Sequence, residues 1–536
     1  MTVSETLSVV TGNARPRPRL RLAELVAALS LGIDLGFDQP MEHVLRQCLI
    51  ALRMADLLEL AEEQRLAVYY SALLIGVGCH TDAHEQAKWF GDDIAGKATK
   101  YDHDMRGLAS TLNGLRSLGA GNQPLHRLRV GLEFLLYGHK DVDGMVASHS
   151  QLARSLAVEL GLSQAVQQAV GTSYERWDGR GWPGELQGTQ IPIESRLAQF
   201  AEFIEVAHRT GGVSAARQLA QERAGAQFDP ELSALFIDHT DAIVEGLDET
   251  RTWDAVIDAE PSLRMTLTQA QAESALLGVA DFIDLKSPYT LGHARAVADY
   301  AGAAARRLML APADIALAKH AGVVHGFGRL GVSNAIWDKR GPLAVGEWER
   351  VRMHPYLTER MLCQSEWLAP LGAVAVQLRE RLDGSGYPRG LNGSGLSMPA
   401  RILAAADVYQ SMIEPRPYRA ALPVDEAVTQ MRGEVASGRL DGDAVGAVLA
   451  HAGHVGVRRR DHPNGLTARE VDVLRLLARG LSSRQIGEQL VISPKTARNH
   501  IEHIYTKIGA TSRVTASMFA VKNGLIPEAA TKADEA

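Results

Sequence analysis

Cysteine is scarce: three in 536 residues, Cys48, Cys79 and Cys363. Widely separated and odd in number, they offer no disulfide framework, and a reducing cytoplasm is the expected compartment. Aromatic residues make up 5% of the chain against 46% hydrophobic residues in all, many of them Ala and Leu, which points to helical globular domains and away from an all-β chain. No apolar run reaches the roughly 18 residues of a membrane span. The opening of the chain, polar and rich in Arg and Pro, lacks the charged start, apolar stretch and small-residue cleavage site of a secretory signal. Positive charge is missing overall: at −7 the chain as a whole repels nucleic acid, so any affinity for it must be local.

Residues 463–525 are the local exception, with nine Lys and Arg against four acids, a balance of +5 that leaves −12 for the rest. Thr467 with Glu470, and Ser482 with Gln485, each predict a capping box. Ser493 followed by Pro494 predicts a further helix start, where proline's missing N–H goes unused. The short turn Val491-Ile492-Ser493 then makes a helix-turn-helix. On the second of its helices Ala497, Ile501, Ile504 and Ile508 form one apolar stripe, and the opposite face carries Lys495, Asn499, Glu502 and Thr506, flanked by Thr496, Arg498 and His503. Lys495 and Arg498 could reach phosphates or guanine edges, and Asn499 could pair with adenine. Over about 60 residues this segment resembles the LuxR-type helix-turn-helix. The resemblance implies double-stranded DNA as partner, and binding as a homodimer through a fourth helix near Ser512 to Asn523. A small bundle that binds protein is the blander alternative, and it leaves the basic face without a use.

The remainder reads as a duplication. Asp-Gly-Arg-Gly-Trp-Pro at 178–183 is echoed by Asp-Gly-Ser-Gly-Tyr-Pro at 383–388, an offset of 205 that also pairs Arg196 with Arg401 and Glu202 with Asp407. Upstream the offset is 250, pairing His43 with His293 and Ile75-Gly76 with His325-Gly326, which places a 45-residue excess between Gly78 and Asp178. That excess holds His80, Asp82, His84, Glu85, Asp92, Asp93, Asp102, His103 and Asp104, and reads as a solvated acidic segment. The stretch 247–262 reads as a connector, and Arg458-Arg459-Arg460 as a basic joint to the tail.

The second copy resembles the HD-GYP family of metal-dependent phosphohydrolases, many of which cleave cyclic di-GMP. The matching stretches are Tyr289 to His293, Val323 to Gly331, Lys339 to Leu343, His354-Pro355, Asp383 to Leu391 and Ala405 to Val408. The resemblance implies metal ligands at His293, His325, His354 and Asp407. It also exposes losses: the Asp after His325 is Gly326, the family's His-His pair is Leu378-Arg379, and its lysine is Arg329. One metal keeps three ligands and the other only His354, so the bridged pair that would generate hydroxide is expected to be gone. A single Fe, Mn or Zn on His293, His325 and Asp407 stays open. Arg379 should pair with Asp407 or with a phosphate, and Arg329 could contact phosphate. In the first copy His43 remains, Ser173-Tyr174 replaces His-His, and Ile75 and Tyr174 should fill the old cavity with apolar packing. Trp177 and Trp182 are read as loop anchors.

The expected fold is thus all-α: two tandem HD-GYP-like helical domains followed by a four-helix LuxR-type helix-turn-helix domain. The expected bounds are a flexible N-terminus at 1–19, a first domain at 20–246 with an insertion at about 79–145, a linker at 247–265, a second domain at 266–453, a basic linker at 454–462, the helix-turn-helix at 463–526 and a tail at 527–536. The expected function is a DNA-binding regulator whose largely non-catalytic body senses a ligand, such as a nucleotide, or a partner. A metal-dependent phosphohydrolase fused to a DNA-binding domain is the alternative, and Gly326 with Leu378-Arg379 favours the first.

Overall fold

His43 and His293 each open a fifteen-residue helix, His43–Leu57 and His293–Arg307, and each is preceded by a residue in the left-handed region, Glu42 at φ 81° and Gly292 at φ 74°. Neither helix has a side-chain cap of its own. A buried carboxylate from the helix before it does that work: Asp34 accepts from Val44 N at 3.0 Å, and Asp284 from Ala294 N at 2.9 Å. Burial pushes both carboxyls up, Asp284 to about 6, against the pull of these N–H groups.

The computed structural model describes residues 19–102, 139–261, 265–454, 463–490, 492–523 and 525. The N-terminal 1–18, His103 and Asp104, Arg458-Arg459-Arg460, Val491 and the final tail lie outside the described residues. The chain is all-α, and among the described residues β-structure is limited to isolated bridges. It forms two units, 1–452 and 453–536.

In the larger unit the helices Leu22–Gly36, His43–Leu57 and Glu62–Leu74 are matched by Gln269–Asp284, His293–Arg307 and Pro312–Val324, and the later pair Ile193–Arg223 and Met398–Ile413 start at the 205 offset. Both proline loops are fastened alike. Buried Glu175 accepts from Gly184 N at 3.1 Å and Glu185 N at 2.9 Å, and Glu380 from Arg389 N at 2.7 Å and Leu391 N at 2.9 Å. Both loops carry a cis peptide, Trp182-Pro183 and Tyr387-Pro388. Gly181 and Gly386 are required by close approach: a Cβ would stand 2.5 Å from Arg176 N and 2.4 Å from Arg381 N respectively.

One apolar core runs from Leu20 to Ala375 and so takes side chains from both halves. Gly32 lies against Leu330 and Met361, where a Cβ would meet Met361 Cε at 2.5 Å. A second cluster, from Val297 to Leu449, belongs to the later helices alone. The stretch 247–262 carries the helix Thr252–Asp258, which buries Trp253 and Val256, while Glu260 pairs with Arg21 at 2.5 Å and accepts from Tyr70 Oη at 2.6 Å.

The inserted segment departs from the solvated reading. His80, Asp82, Asp93 and Lys97 are buried. Asp93 accepts from Ser333 Oγ and Asn334 N, both at 2.7 Å, and lies 3.3 Å from Lys286 Nζ and 3.4 Å from Lys97 Nζ. Its described part is therefore docked on the second half through a neutralised carboxylate that caps the helix Asn334–Trp337, while Glu85 and Asp102 stay exposed.

Among its described residues the smaller unit has four α-helices, Ala468–Ala478, Ser483–Leu490, Pro494–Ile508 and Arg513–Lys522, around Val473, Leu474, Ile486, Ala497 and Ile504. Glu470 N donates to Thr467 Oγ1 at 3.2 Å while Thr467 N donates back to Glu470 at 2.7 Å, and Ser493 Oγ accepts from Thr496 N at 3.0 Å.

Candidate metal centre and nucleic-acid interface

His293 begins its helix, His325 follows the helix Pro312–Val324, and Asp407 sits inside Met398–Ile413; the three bring donor atoms within 4.8 Å of one another. Asp407 Oδ1 is 3.2 Å from His293 Nε2 and 3.8 Å from His325 Nε2. Each ring is fixed from behind. Nδ1 of His293 meets Glu414 at 2.8 Å, and Nδ1 of His325 donates to Gly322 O at 2.6 Å. His325 Nε2 is left buried without a hydrogen-bond partner. Burial, then the charge of His293, brings the His325 pKa down to about 4, so the ring is neutral and offers a lone pair. On His293 burial opposes charge, but Asp407 and Glu414 raise the pKa above the usual imidazole value. Pinned imidazoles facing one carboxylate fit a single divalent ion.

A second ion does not fit. His354 stands outside the three-donor cluster, its Nδ1 donating to Val351 O at 2.7 Å and its ring edge-on to Trp337 at 5.4 Å. Burial, then the charge of Arg379, lowers its pKa to about 3. Leu378 is buried and apolar, and Gly326 supplies no carboxylate. Arg379 Nη1 lies 3.0 Å from Asp407 Oδ2, so a fixed cation stands against the carboxylate of the three-donor cluster, while Gly326 leaves no carboxylate to bridge a second ion. Burial alone would raise the Asp407 carboxyl; Arg379, with both histidines, holds it well below the usual range.

Arg329 stacks over Trp337, with Cζ 4.4 Å from the ring centroid, and makes no ion pair among the described residues. Burial and the neighbouring Arg416 bring its pKa down to about 10. Arg329, Arg379 and Arg416 thus gather positive charge beside the three-donor cluster, and only part of it is neutralised by Asp407 and Glu414.

The first half keeps the frame and replaces the chemistry. His43 Nδ1 pairs with Glu205, not Glu202, and Arg46 joins Glu205 at 2.8 Å. Glu202, at the place of Asp407, takes Lys100 Nζ at 2.5 Å and Tyr101 Oη at 3.0 Å. The Lys100 ammonium lies over the rings of Tyr101, Tyr174, Phe203 and Phe37 at 5.0 to 5.8 Å. Apolar packing by Ile75 is therefore only half of how the cavity is filled; an internal cation from the inserted segment supplies the rest, because buried Glu202 needs a counter-charge. Sequence reasoning missed Lys100, Tyr101 and His149. His149 had a signal: at offset 205 it pairs with His354. The close approach repeats, since a Cβ on Gly78 would stand 2.3 Å from His149 O and one on Gly328 2.1 Å from His354 O.

In the smaller unit Ala497 and Ile504 are buried, with Ile501 and Ile508 packed partly against the core. Lys495, Thr496, Arg498, Asn499, Glu502 and His503 are all exposed along Pro494–Ile508. Among the described residues Lys495 and Arg498 make no ion pair.

The HD-domain family model matches residues 140–232 and 278–444, and the model of bacterial regulatory proteins of the luxR family matches 464–520. The 3'3'-cGAMP-specific phosphodiesterase 3 of Vibrio cholerae is 32% identical over 418 residues, which is 76% of this chain and 90% of that protein. The cyclic di-GMP phosphodiesterase PA4108 of Pseudomonas aeruginosa is 36% identical over 144 residues, 27% of this chain and 35% of its own length. A crystal structure of a cyclic GMP-AMP-specific phosphodiesterase of V. cholerae matches with a TM-score of 0.57 and 26% identity, covering 82% of this chain and 99% of that one.

Proposed function

Since this chain belongs to the HD-domain family of cyclic-dinucleotide phosphodiesterases and ends in a DNA-binding domain of the luxR family, we propose that it is a transcriptional regulator whose body is a tandem pair of HD-type units, senses a ligand and controls the tail. The observation that carries this reading is the Arg379–Asp407 pair at 3.0 Å beside Gly326. A two-metal hydrolase clamps both the attacking and the leaving oxygen, and here a cation stands at one of the positions where the family carries a ligand while the carboxylate that would bridge the ions is missing. The ligand class is a 3',3'-cyclic dinucleotide, by kinship with relatives that hydrolyse such molecules, with Arg329 and Arg379 facing its phosphates. His293, His325 and Asp407 would hold one Fe, Mn or Zn, which would supply a Lewis acid for a phosphoryl oxygen. Lys495, Thr496, Arg498, Asn499, Glu502 and His503 are the proposed DNA contacts, and Val514, Met518 and Val521, exposed on the fourth helix, the homodimer contact.

One observation favours residual phosphodiesterase activity as a second reading: the neutral, unpartnered Nε2 of His325 aimed at Asp407. Metal analysis of the purified chain, together with turnover of 3'3'-cGAMP and cyclic di-GMP, decides between the two. The regulator reading expects at most one ion per chain and binding without turnover. Turnover abolished by His325→Ala would replace it with the second.

A further inference from the structure

Cys79 lies on the short turn Val77–His80 of the first half, at the place Arg329 takes in the second. Its Sγ is 2.7 Å from Tyr174 Oη and 3.4 Å from His149 Nδ1, and His149 Nε2 is 2.8 Å from Asp82 Oδ2. The sulfur therefore ends a Cys-His-Asp relay, in which a carboxylate orients the imidazole that takes up the thiol proton. Groups face it from every element packed around it: His149 from His139–Glu159, Tyr174 from the segment before the proline loop, Lys100 and Tyr101 from the inserted segment, and Asp82 and Glu202 behind these. Burial alone would push the Cys79 thiol up; the charge and hydrogen bond of His149, then Lys100 and the Tyr174 hydroxyl, bring it below the ordinary thiol value. Burial likewise opposes the charge on His149, but Cys79 and Asp82 raise its pKa to about 10.

The other two cysteines lack this setting. Cys48 is buried against Tyr69 O at 3.6 Å, and burial pushes its thiol far up. Cys363 is exposed beside Arg360 O at 3.4 Å. The Cys79 relay shares no residue with the His293 cluster or with the exposed face of Pro494–Ile508.

We propose that Cys79 is a site of oxidation by hydroperoxides, a thiolate lodged in the vacated centre of the first half and held there by His149, Asp82 and Tyr174. The thiolate lone pair attacks the terminal oxygen of the peroxide, the S–O bond forms as the O–O bond breaks, and the leaving hydroxide or alkoxide takes the Nδ1 proton of His149. Sulfur is oxidised by two electrons to the sulfenic acid, the peroxide is reduced to water or an alcohol, and His149 ends neutral. Cys79 is 6% exposed, which restricts the oxidant to a small molecule. The added oxygen would part the sulfur from Tyr174 and remove the charge that His149 and Lys100 face, so the modification alters the first-half network and not the His293 cluster.

The test exposes the full chain to hydrogen peroxide, traps sulfenic acid with dimedone and reads each cysteine by peptide mass spectrometry. Cys79 should be labelled ahead of the exposed Cys363. Between about pH 8 and about pH 6 its rate should fall less steeply than that of a free cysteine, which falls about tenfold per unit below its pKa of about 8.5. His149→Gln should slow Cys79 about tenfold or more at neutral pH while leaving Cys363 unchanged. If that variant loosens the fold, Cys48 becomes labelled too, and the wild-type order of labelling and pH profile then decide alone. Labelling of Cys363 first, with Cys79 no faster than Cys48, overturns the proposal, as does a Cys79 rate that follows pH like free cysteine.

Discussion

Gly76 and Gly326 occupy the same backbone conformation, φ −90° and ψ −3° against φ −84° and ψ −7°, yet stand in different surroundings. A Cβ on Gly76 would lie 2.9 Å from Ile33 Cγ2 and 3.2 Å from Phe37, whereas one on Gly326 meets only Arg329 Cδ at 3.6 Å. Gly76→Ala should therefore cost about 1–3 kcal/mol by overpacking. Gly326→Ala should be neutral or stabilise by up to about 1 kcal/mol, through the smaller entropy of its unfolded state. Denaturant titration of both variants checks the contrast, and equal losses would mean the second-half site is as tightly filled as the first. The same room means that the backbone at 326 still admits a Cβ, which the crowded Gly76 position does not. The sequence shows that an Asp is absent at both places; it cannot show that the volume has closed at Gly76, because that depends on Ile33 and Phe37, which are remote from it in the chain.

At the scale of elements, what was legible was local. Thr467 with Glu470, and Ser493 with Pro494, cap the helices they predict, since a cap is decided within four residues. The docked insertion was illegible, since Asp93 and its partners Ser333, Asn334 and Lys286 lie some 190 to 240 positions apart in sequence. Asp93 has its pKa brought down to about 2: burial opposes this, but Lys286 and Lys97 outweigh it. A folded pKa below the unfolded value of about 3.9 means that its contribution is complete above about pH 4 and is lost as pH falls through about 2. Thermal melts from neutral pH down to about pH 3 should show that loss in the wild type. Asp93→Asn should be destabilised by about 3–5 kcal/mol at neutral pH, because two buried ammonium groups lose their partner, and its melts should depend less on acid. A variant as stable as the wild type would show the segment to be undocked in solution. On the helix Pro494–Ile508, Lys495→Ala and Arg498→Ala should each weaken DNA binding and lower the salt slope by about one. Unchanged slopes would move the phosphate contacts to Arg458-Arg459-Arg460.

For the whole molecule, charge is partitioned: +5 over residues 463–525 against −12 elsewhere, so nucleic acid is drawn to the tail and repelled by the body. A body ligand can alter transcription only by favouring one state of the chain over another, and a dimer turns a small change in the spacing of two tails into a large change in affinity. The proposed dimer contact lies on the fourth helix. Val514 and Met518, each 67% exposed, and Val521 at 47% lie at spacings of four and three, while Ala516 and Ala520 face the core. Such a stripe leaves apolar area in water unless a second copy covers it. Met518→Glu places a charge in that stripe without touching the core face, so the variant should keep its fold and its contacts to a single half-site. Wild type should bind paired half-sites about 10²-fold or more tighter than one, since the second contact is made at high effective concentration, and the variant should lose that advantage. Sedimentation with mobility shifts on single and paired sites reads both quantities. A variant that still prefers paired sites would place the dimer contact elsewhere, in the body, where ligand occupancy could act on it directly.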